Sequence, residues 1–175
     1  HGAVVDHYGK SDTRVFREVS ELGHRLEGLT ELTNTCNQAQ VAILFDWDNR
    51  WAIDDMQGPR NIGMHYKETI QQHYKTFWKM GIPTDFVDMS CDISNYKVLV
   101  APMMYLLRNG FEKKIKDFVE AGGTLITTYW SGIVNETDLC YLEGTPHGLM
   151  DVVGLRSEEI DGLFDGETNS ATTCS

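Results

Sequence analysis

Short apolar runs alternate with helical repeats along most of this chain. Residues 41–45, V-A-I-L-F, form an all-apolar run that is typical of a strand buried on both faces. Similar runs predict three more strands, at residues 84–87, 96–101 and 124–128. Apolar positions spaced three and four apart predict helices at about residues 64–80, 110–121 and 146–153. The predicted apolar face of the first of these helices consists of Tyr66, Ile70, Tyr74, Phe77 and Trp78. The alternation of strands and helices is typical of a parallel sheet with right-handed crossovers.

The predicted fold class is therefore α/β, in a three-layer, flavodoxin-like arrangement. We expect strand order 2-1-3-4, with the strand at Val41 in the centre. Upstream of it, one apolar helix face is formed by Val15, Val19, Leu22, Leu26 and Leu29. Ser11 or Asp12 is the predicted N-cap of that helix. The polar residues 31–40 read as a linker, so a domain boundary is predicted there.

The charge of the chain limits its partners. The formal net charge is −11, from 15 basic and 26 acidic residues. Nucleic-acid binding needs clustered positive charge, and binding to an anionic membrane surface needs clustered positive charge as well. No apolar run approaches the ~20 residues of a membrane span. We therefore expect no nucleic acid and no membrane as partner, which leaves small molecules and other proteins.

The cysteine and histidine patterns predict neither a metal site nor a cofactor. The four cysteines, at positions 36, 91, 140 and 174, form no C-x-x-C pair and have no zinc-finger spacing to a histidine. Free thiols are typical of a reducing compartment, so a cytoplasmic location is predicted. No H-E-x-x-H pair is present among the six histidines.

The stretch after the first strand, residues 46–51, holds the chemistry-bearing side chains. Working loops of parallel α/β sheets follow the carboxyl ends of strands. Asp46 and Asp48 are similar to the D-x-D of haloacid-dehalogenase-type phosphatases, in which one carboxylate is the nucleophile beside Mg²⁺. That motif has Thr or Val two places after its second Asp, where this chain has Arg50. Alternatively, both carboxylates cap or pair locally with Asn49 and Arg50.

Three tryptophans, Trp47, Trp51 and Trp130, follow predicted strands. Their faces can stack on sugars, anchor loops on the sheet or pack against another subunit. Trp130 also lies where a strand-to-helix elbow presents a nucleophile, and amidotransferase-like proteins of this architecture have Cys there. Ser131 lacks the G-x-S-x-G frame. We therefore expect no nucleophilic catalysis from this segment.

Several stretches in order resemble one family. These are D-T-R-V-F-R-E-V, V-A-I-L-F-D-W-D, Y-K-V-L-V-A-P-M-M-Y-L-L and G-G-T-L-I-T-T-Y-W-S-G-I-V-N-E-T-D. They resemble glycoside hydrolase family 42 β-galactosidases, from residue 1 to about residue 161. The resemblance implies that residues 1–33 are the last strand and helix of a catalytic (β/α)₈ barrel. Residues 40–175 resemble the trimerisation domain, which has a class I glutamine amidotransferase-like fold, and the chain resembles a piece truncated at both ends.

The resemblance further implies a retaining hydrolase of terminal β-D-galactosides that works as a homotrimer. Both catalytic glutamates of the family lie upstream of residue 1, so no catalytic residue is expected here and the chain alone is predicted to be inactive. His1 matches a histidine that contacts galactose hydroxyls. Trp47, Arg50, Trp51 and Trp130 become candidates for a subunit interface or for the rim of a neighbour's sugar pocket.

Two other hypotheses stay open on the sequence. A small Mg²⁺-dependent hydrolase or phosphatase would use Asp46 and Asp48. A stand-alone sugar-binding module would use the tryptophans after the strands.

Overall fold

The computed structural model describes residues 4–56, 64–163 and 166–170. The chain divides into two compact units, residues 1–37 and 38–175. Among the described residues, no helix has both the length and the apolar character to cross a bilayer.

The first unit contains the helix α1 (Arg14–Glu27), which confirms the predicted amphipathic helix. Its N-cap is Thr13, whose hydroxyl accepts from the Phe16 N–H at 3.2 Å. The predicted caps, Ser11 and Asp12, are therefore wrong by one or two residues. A short 3₁₀ turn follows at Thr30–Leu32. All five predicted apolar-face residues are exposed, although Leu29 lies just after the helix; α1 therefore presents an apolar stripe with no buried residue.

The second unit is a parallel sheet with helices on both sides. The strands are β1 (Val41–Leu44), β2 (Thr84–Val87), β3 (Val98–Ala101) and β4 (Thr124–Thr127). The helices are α2 (Trp47–Asp55), α3 (Tyr66–Lys79), α4 (Phe111–Glu120) and α5 (Met150–Val153). The order is β2-β1-β3-β4, and every pairing is parallel. Both the strand order and the α/β class are confirmed.

The buried strand β1 separates two cores. Ala42 and Leu44 pack in one core with α4 residues such as Phe111 and Ile115. Val41 and Ile43, which alternate with them along β1, pack in the other core against side chains from α2 and α3. Because successive side chains of a strand point to opposite faces, both faces of β1 must be apolar. This explains the unbroken apolar run and gives the three layers.

Two local predictions are wrong. The expected loop at residues 46–51 is instead the start of the helix α2. Trp78 was expected on the apolar face of α3, yet its side chain is 66% exposed. The other predicted members of that face lie inward: Tyr66 and Ile70 are buried, and Tyr74 and Phe77 are half-buried. Trp78 therefore belongs to the surface.

Leu99 provides a test of the core. It is fully buried in the central strand β3, so Leu99→Ala removes buried apolar contacts and leaves a cavity. We expect the free energy of unfolding to fall by about 2–5 kcal/mol in urea denaturation. Leu142→Ala, at an exposed position, is the matched control and should change it by less than about 0.5 kcal/mol. Equal effects of the two changes would contradict this packing.

Candidate functional site

The carboxyl ends of β1 and β3 form the topological switch point of the sheet. Strand order runs one way from β1 to β2 and the other way from β3 to β4. Open α/β sheets bind ligands in the crevice at such a point. Here the crevice is occupied by three side chains of the protein itself, Asp46, Asn49 and Arg108, which we call the polar cluster.

Asp46 is the buried centre of this cluster, with 0% of its surface exposed. Its Oδ1 accepts from the backbone N–H of Asp48 at 2.9 Å and of Asn49 at 3.3 Å, which makes Asp46 the N-cap of α2. The same oxygen accepts from Arg108 Nη2 at 3.1 Å. Its Oδ2 accepts from the Met89 N–H at 3.4 Å. Both carboxylate oxygens are therefore occupied by groups of the protein.

Asn49 links α2 to the loop after β3. Its Nδ2 donates to the Met103 carbonyl at 3.0 Å, and its Oδ1 accepts from the Leu106 N–H at 2.8 Å. Met103 has a positive φ of 46°, which an L-residue rarely adopts. The buried amide thus satisfies both backbone groups of a bent loop and holds that loop against α2.

Arg108 links the two aspartates at the crevice. Its Nη2 donates to Asp46 Oδ1 and also to Asp48 Oδ2, the latter at 2.7 Å. Arg108 is half-buried and Asp48 is half-exposed, so the pair lies between the core and the solvent. Charge-assisted hydrogen bonds in such a partly dry setting are stronger than surface ion pairs.

The phosphatase hypothesis finds no support in this geometry. A nucleophilic Asp46 would need an accessible oxygen beside a cation, and its oxygens instead accept from backbone amides and from Arg108. The alternative of local capping is confirmed for Asp46. The partner of Arg50 differs from that expectation, because Arg50 Nε lies 3.5 Å from Asp54 Oδ2.

The first two turns of α2 present an aromatic surface beside the polar cluster. Trp47 is 53% and Trp51 60% exposed, and their ring centroids are 5.9 Å apart. The Arg50 guanidinium carbon lies 5.2 Å from the Trp47 ring centroid, a cation–π distance. We call Trp47, Arg50 and Trp51 the tryptophan ridge. Because the polar cluster fixes the start of α2, the ridge has a defined orientation.

The ring of Phe45 packs between the ridge residue Trp47 and Tyr66. It meets Trp47 edge-on with centroids 5.2 Å apart, and it stacks on Tyr66 at 5.7 Å. Burial raises the pKa of the Tyr66 hydroxyl. That hydroxyl accepts from the Asp46 N–H at 3.5 Å. The aromatic layer and the polar cluster are thus in contact.

Trp130 contacts residues that do not belong to the tryptophan ridge. Its φ of 62° is a backbone conformation that an L-residue rarely adopts. The next helix described after β4 is α5, so no helix follows Trp130 directly as a strand-to-helix elbow requires. Its Nε1 donates to Met56 Sδ at 3.1 Å, and its ring stacks on Tyr105 with centroids 5.9 Å apart. Burial, and then the charge of Asp138, raises the pKa of Tyr105 to about 12. These contacts anchor the loop that carries Trp130, and its interface role stays a prediction.

Ser131, the other candidate at the predicted elbow, uses its hydroxyl within the protein. Its Oγ donates to the Thr128 carbonyl at 2.9 Å and lies 3.0 Å from Thr127 Oγ1. His1 lies outside the described residues, so its predicted sugar contact remains a prediction.

Sequence reasoning missed Arg108 and the structural role of Asn49. A signal for Arg108 is present in the sequence, because it is the first charged residue after β3. In the predicted strand order β3 is next to β1, so the carboxyl end of β3 lies beside the carboxyl end of β1, which Asp46 and Asp48 follow. Asn49 gives no such signal, since its partners are 54 and 57 residues away and are backbone atoms.

Removal of the Asn49 side chain tests the polar cluster. Asn49→Ala leaves the Leu106 N–H and the Met103 carbonyl buried without partners. We expect a loss of about 2–4 kcal/mol in the free energy of unfolding, measured in urea. Asn95→Ala, at an exposed position, is the control. A loss below about 1 kcal/mol would contradict the role assigned to this amide.

Comparison with known proteins identifies the family. Residues 39–175 match the family model described as the β-galactosidase trimerisation domain. The β-galactosidase Pbg of Clostridium perfringens is 53% identical over 97% of this chain, which spans 24% of that protein. The β-galactosidase BglY of Alicyclobacillus acidocaldarius is 52% identical over 95% of this chain, again spanning 24% of it.

Solved structures agree with the sequence matches. The β-galactosidase from Rahnella sp. R3 has 51% identity and a TM-score of 0.75, covering 95% of this chain and 25% of that one. The enzyme from Bacillus circulans sp. alkalophilus has 43% identity and a TM-score of 0.77 over the same shares. This chain therefore spans about a quarter of the length of these relatives. It belongs to the glycoside hydrolase family 42 β-galactosidases and contains their trimerisation domain.

Proposed function

We propose that this chain is the assembly segment of a homotrimeric β-galactosidase. The full-length enzyme hydrolyses terminal β-D-galactosides with retention, using two glutamates outside this segment. The family match carries the proposal, because it covers residues 39–175 and names a trimerisation domain. The enzyme works in the cytoplasm, where the thiols of Cys36, Cys91 and Cys140 stay reduced.

The tryptophan ridge is the part of this domain that best fits a subunit contact. Tryptophan, tyrosine and arginine are enriched among the residues that dominate protein interfaces. Trp47 and Trp51 are more than half exposed, while Phe45 and the polar cluster fix their backbone. A rigid exposed aromatic surface loses little conformational entropy on binding. The ridge is therefore suited to bury its rings against another subunit.

The same ridge is also suited to border a sugar pocket of a neighbouring subunit. Galactosides present a C–H face that packs on indole rings, and the two ridge indoles are tilted by 38° to each other. Trp130 is a weaker candidate for this role, because it is half-buried and stacked on Tyr105.

In this proposal, residues 1–33 belong to the catalytic barrel and residues 40–175 form the assembly domain. The apolar stripe of α1 is what a helix on the outside of a (β/α)₈ barrel needs to cover the strands. We also propose that His1 binds galactose hydroxyls in the full-length enzyme.

The ridge can be tested for assembly in the full-length enzyme. The triple change Trp47→Ala, Arg50→Ala, Trp51→Ala should shift its mass from trimer to monomer in sedimentation velocity. We expect the dissociation constant to rise by at least about 30-fold, as for the loss of one interface hot spot. Leu139→Ala with Leu142→Ala, two exposed apolar positions elsewhere, is the control and should stay trimeric. An unchanged trimer in the triple variant would refute the role of the ridge.

The activity can be tested with a chromogenic β-galactoside. The full-length enzyme should release the chromophore, and proton NMR should show β-galactose as the first product. The purified 175-residue chain should release none above the buffer rate, because both glutamates lie elsewhere. Turnover by that chain would show that the segment itself contains a catalytic site, and an inactive full-length protein would refute the enzyme.

A further inference from the structure

A second exposed aromatic surface lies at the far end of α3 and is not explained by the fold. Trp78, Met80 and Phe86 are each more than half exposed, and we call them the α3 patch. We propose that the α3 patch of one copy receives the tryptophan ridge of the next copy in the trimer. The inference rests on the proposed trimer and names its second surface.

The α3 patch is built on regular structure. Trp78 lies in the last turn of α3, and Met80 is the C-cap of that helix. Phe86 lies on β2, the terminal strand of the sheet, and its ring is 5.3 Å from that of Tyr74. Tyr74 precedes Trp78 by one helical turn, so the two lie on the same side of α3. Tyr74, which contacts Phe86, thus links the end of the helix to the edge of the sheet.

A closed threefold ring requires two different surfaces on each subunit. Such an interface is heterologous, so the patch that a subunit offers differs from the patch that it accepts. The ridge begins at the carboxyl end of β1, where α2 starts. The α3 patch flanks the terminal strand β2, after α3 has run back toward the amino ends of the strands. The two surfaces therefore lie on different elements of one unit.

The charges around the two surfaces are complementary. Residues 71–80 contain Lys75 and Lys79 and no carboxylate, although the whole chain has a net charge of −11. Both lysines are exposed beside Trp78. The α2 helix has the opposite balance, with Asp48, Asp54 and Asp55 against Arg50. This surface stays net acidic when Arg108, which donates to Asp48, is included.

Opposite charges at the rim guide encounter and fix register, while the aromatic rings in the centre supply the buried area. Lysine ammonium groups also bind the faces of exposed indoles, so Lys75 and Lys79 suit Trp47 and Trp51 of the next copy. A ridge packed on a second ridge would instead bring the aspartates of two copies together. Charge therefore favours packing of the ridge against the α3 patch over packing against a second ridge.

Charge reversal in the full-length enzyme tests this pairing. Lys75→Glu with Lys79→Glu should raise the trimer dissociation constant at least about 10-fold, measured by sedimentation velocity over a dilution series. Asp54→Lys with Asp55→Lys should do the same. All four changes in one chain should restore the constant to within about threefold of wild type, because each interface then pairs the reversed charges. Lys113→Glu with Lys116→Glu on α4 is the matched control.

Trp78→Ser tests the apolar centre, with Leu142→Ser as its control, and circular dichroism verifies that both fold. We expect Trp78→Ser to raise the dissociation constant about 30-fold. A wild-type enzyme that is not trimeric would refute the proposed assembly itself. A trimeric wild type whose assembly is insensitive to Trp78→Ser, or whose charge reversals do not compensate each other, would refute only this pairing and assign the α3 patch to contacts within one subunit.

Discussion

The structure of this site depends on one buried carboxylate, that of Asp46. A charged group without access to water is costly unless every oxygen has a partner. Two backbone amides of α2, the amide of Met89 and the guanidinium of Arg108 supply these partners. They come from three separate parts of the chain, so the carboxylate is satisfied only when α2, the loop after β2 and the loop after β3 are all in place.

This arrangement turns a potential ligand crevice into a rigid support. In many sheets of this kind the switch point is open and binds a small molecule. Here Asn49 and Arg108 fill it, and the helix that it holds presents Trp47 and Trp51 outward. The fold that serves catalysis in other proteins is thus used, in our proposal, to build a surface for another subunit. The activity of the enzyme would depend on this domain through assembly.

Sequence reasoning predicted the sheet well because its signal is local. The run at residues 41–45 has the short, all-apolar pattern typical of a strand buried on both faces, and strands alternating with helices predict a parallel sheet. It missed α2 because the apolar residues of W-D-N-R-W-A-I-D-D are split between the core and the surface. Asp46 followed by Asp48 was a helix-start signal, which the resemblance to D-x-D obscured.

The site was less predictable, because its contacts are distant along the chain. Asn49 reaches backbone atoms more than 50 residues away, and no pattern reports that. Trp78 was assigned to the core by its spacing, although a helix beside a terminal strand has a wider exposed face. The family resemblance supplied what the residues alone did not, namely the proposal that the exposed tryptophans serve a subunit interface.

Native-state hydrogen exchange at the Leu106 amide tests the central claim most directly. This N–H donates to the Asn49 side chain in the closed crevice and belongs to no helix or strand. If the polar cluster is a rigid support, the Leu106 amide should exchange as slowly as the amides of β3, through global unfolding. Exchange at the rate of an ordinary loop amide would mean that the crevice opens freely, and it would contradict the account.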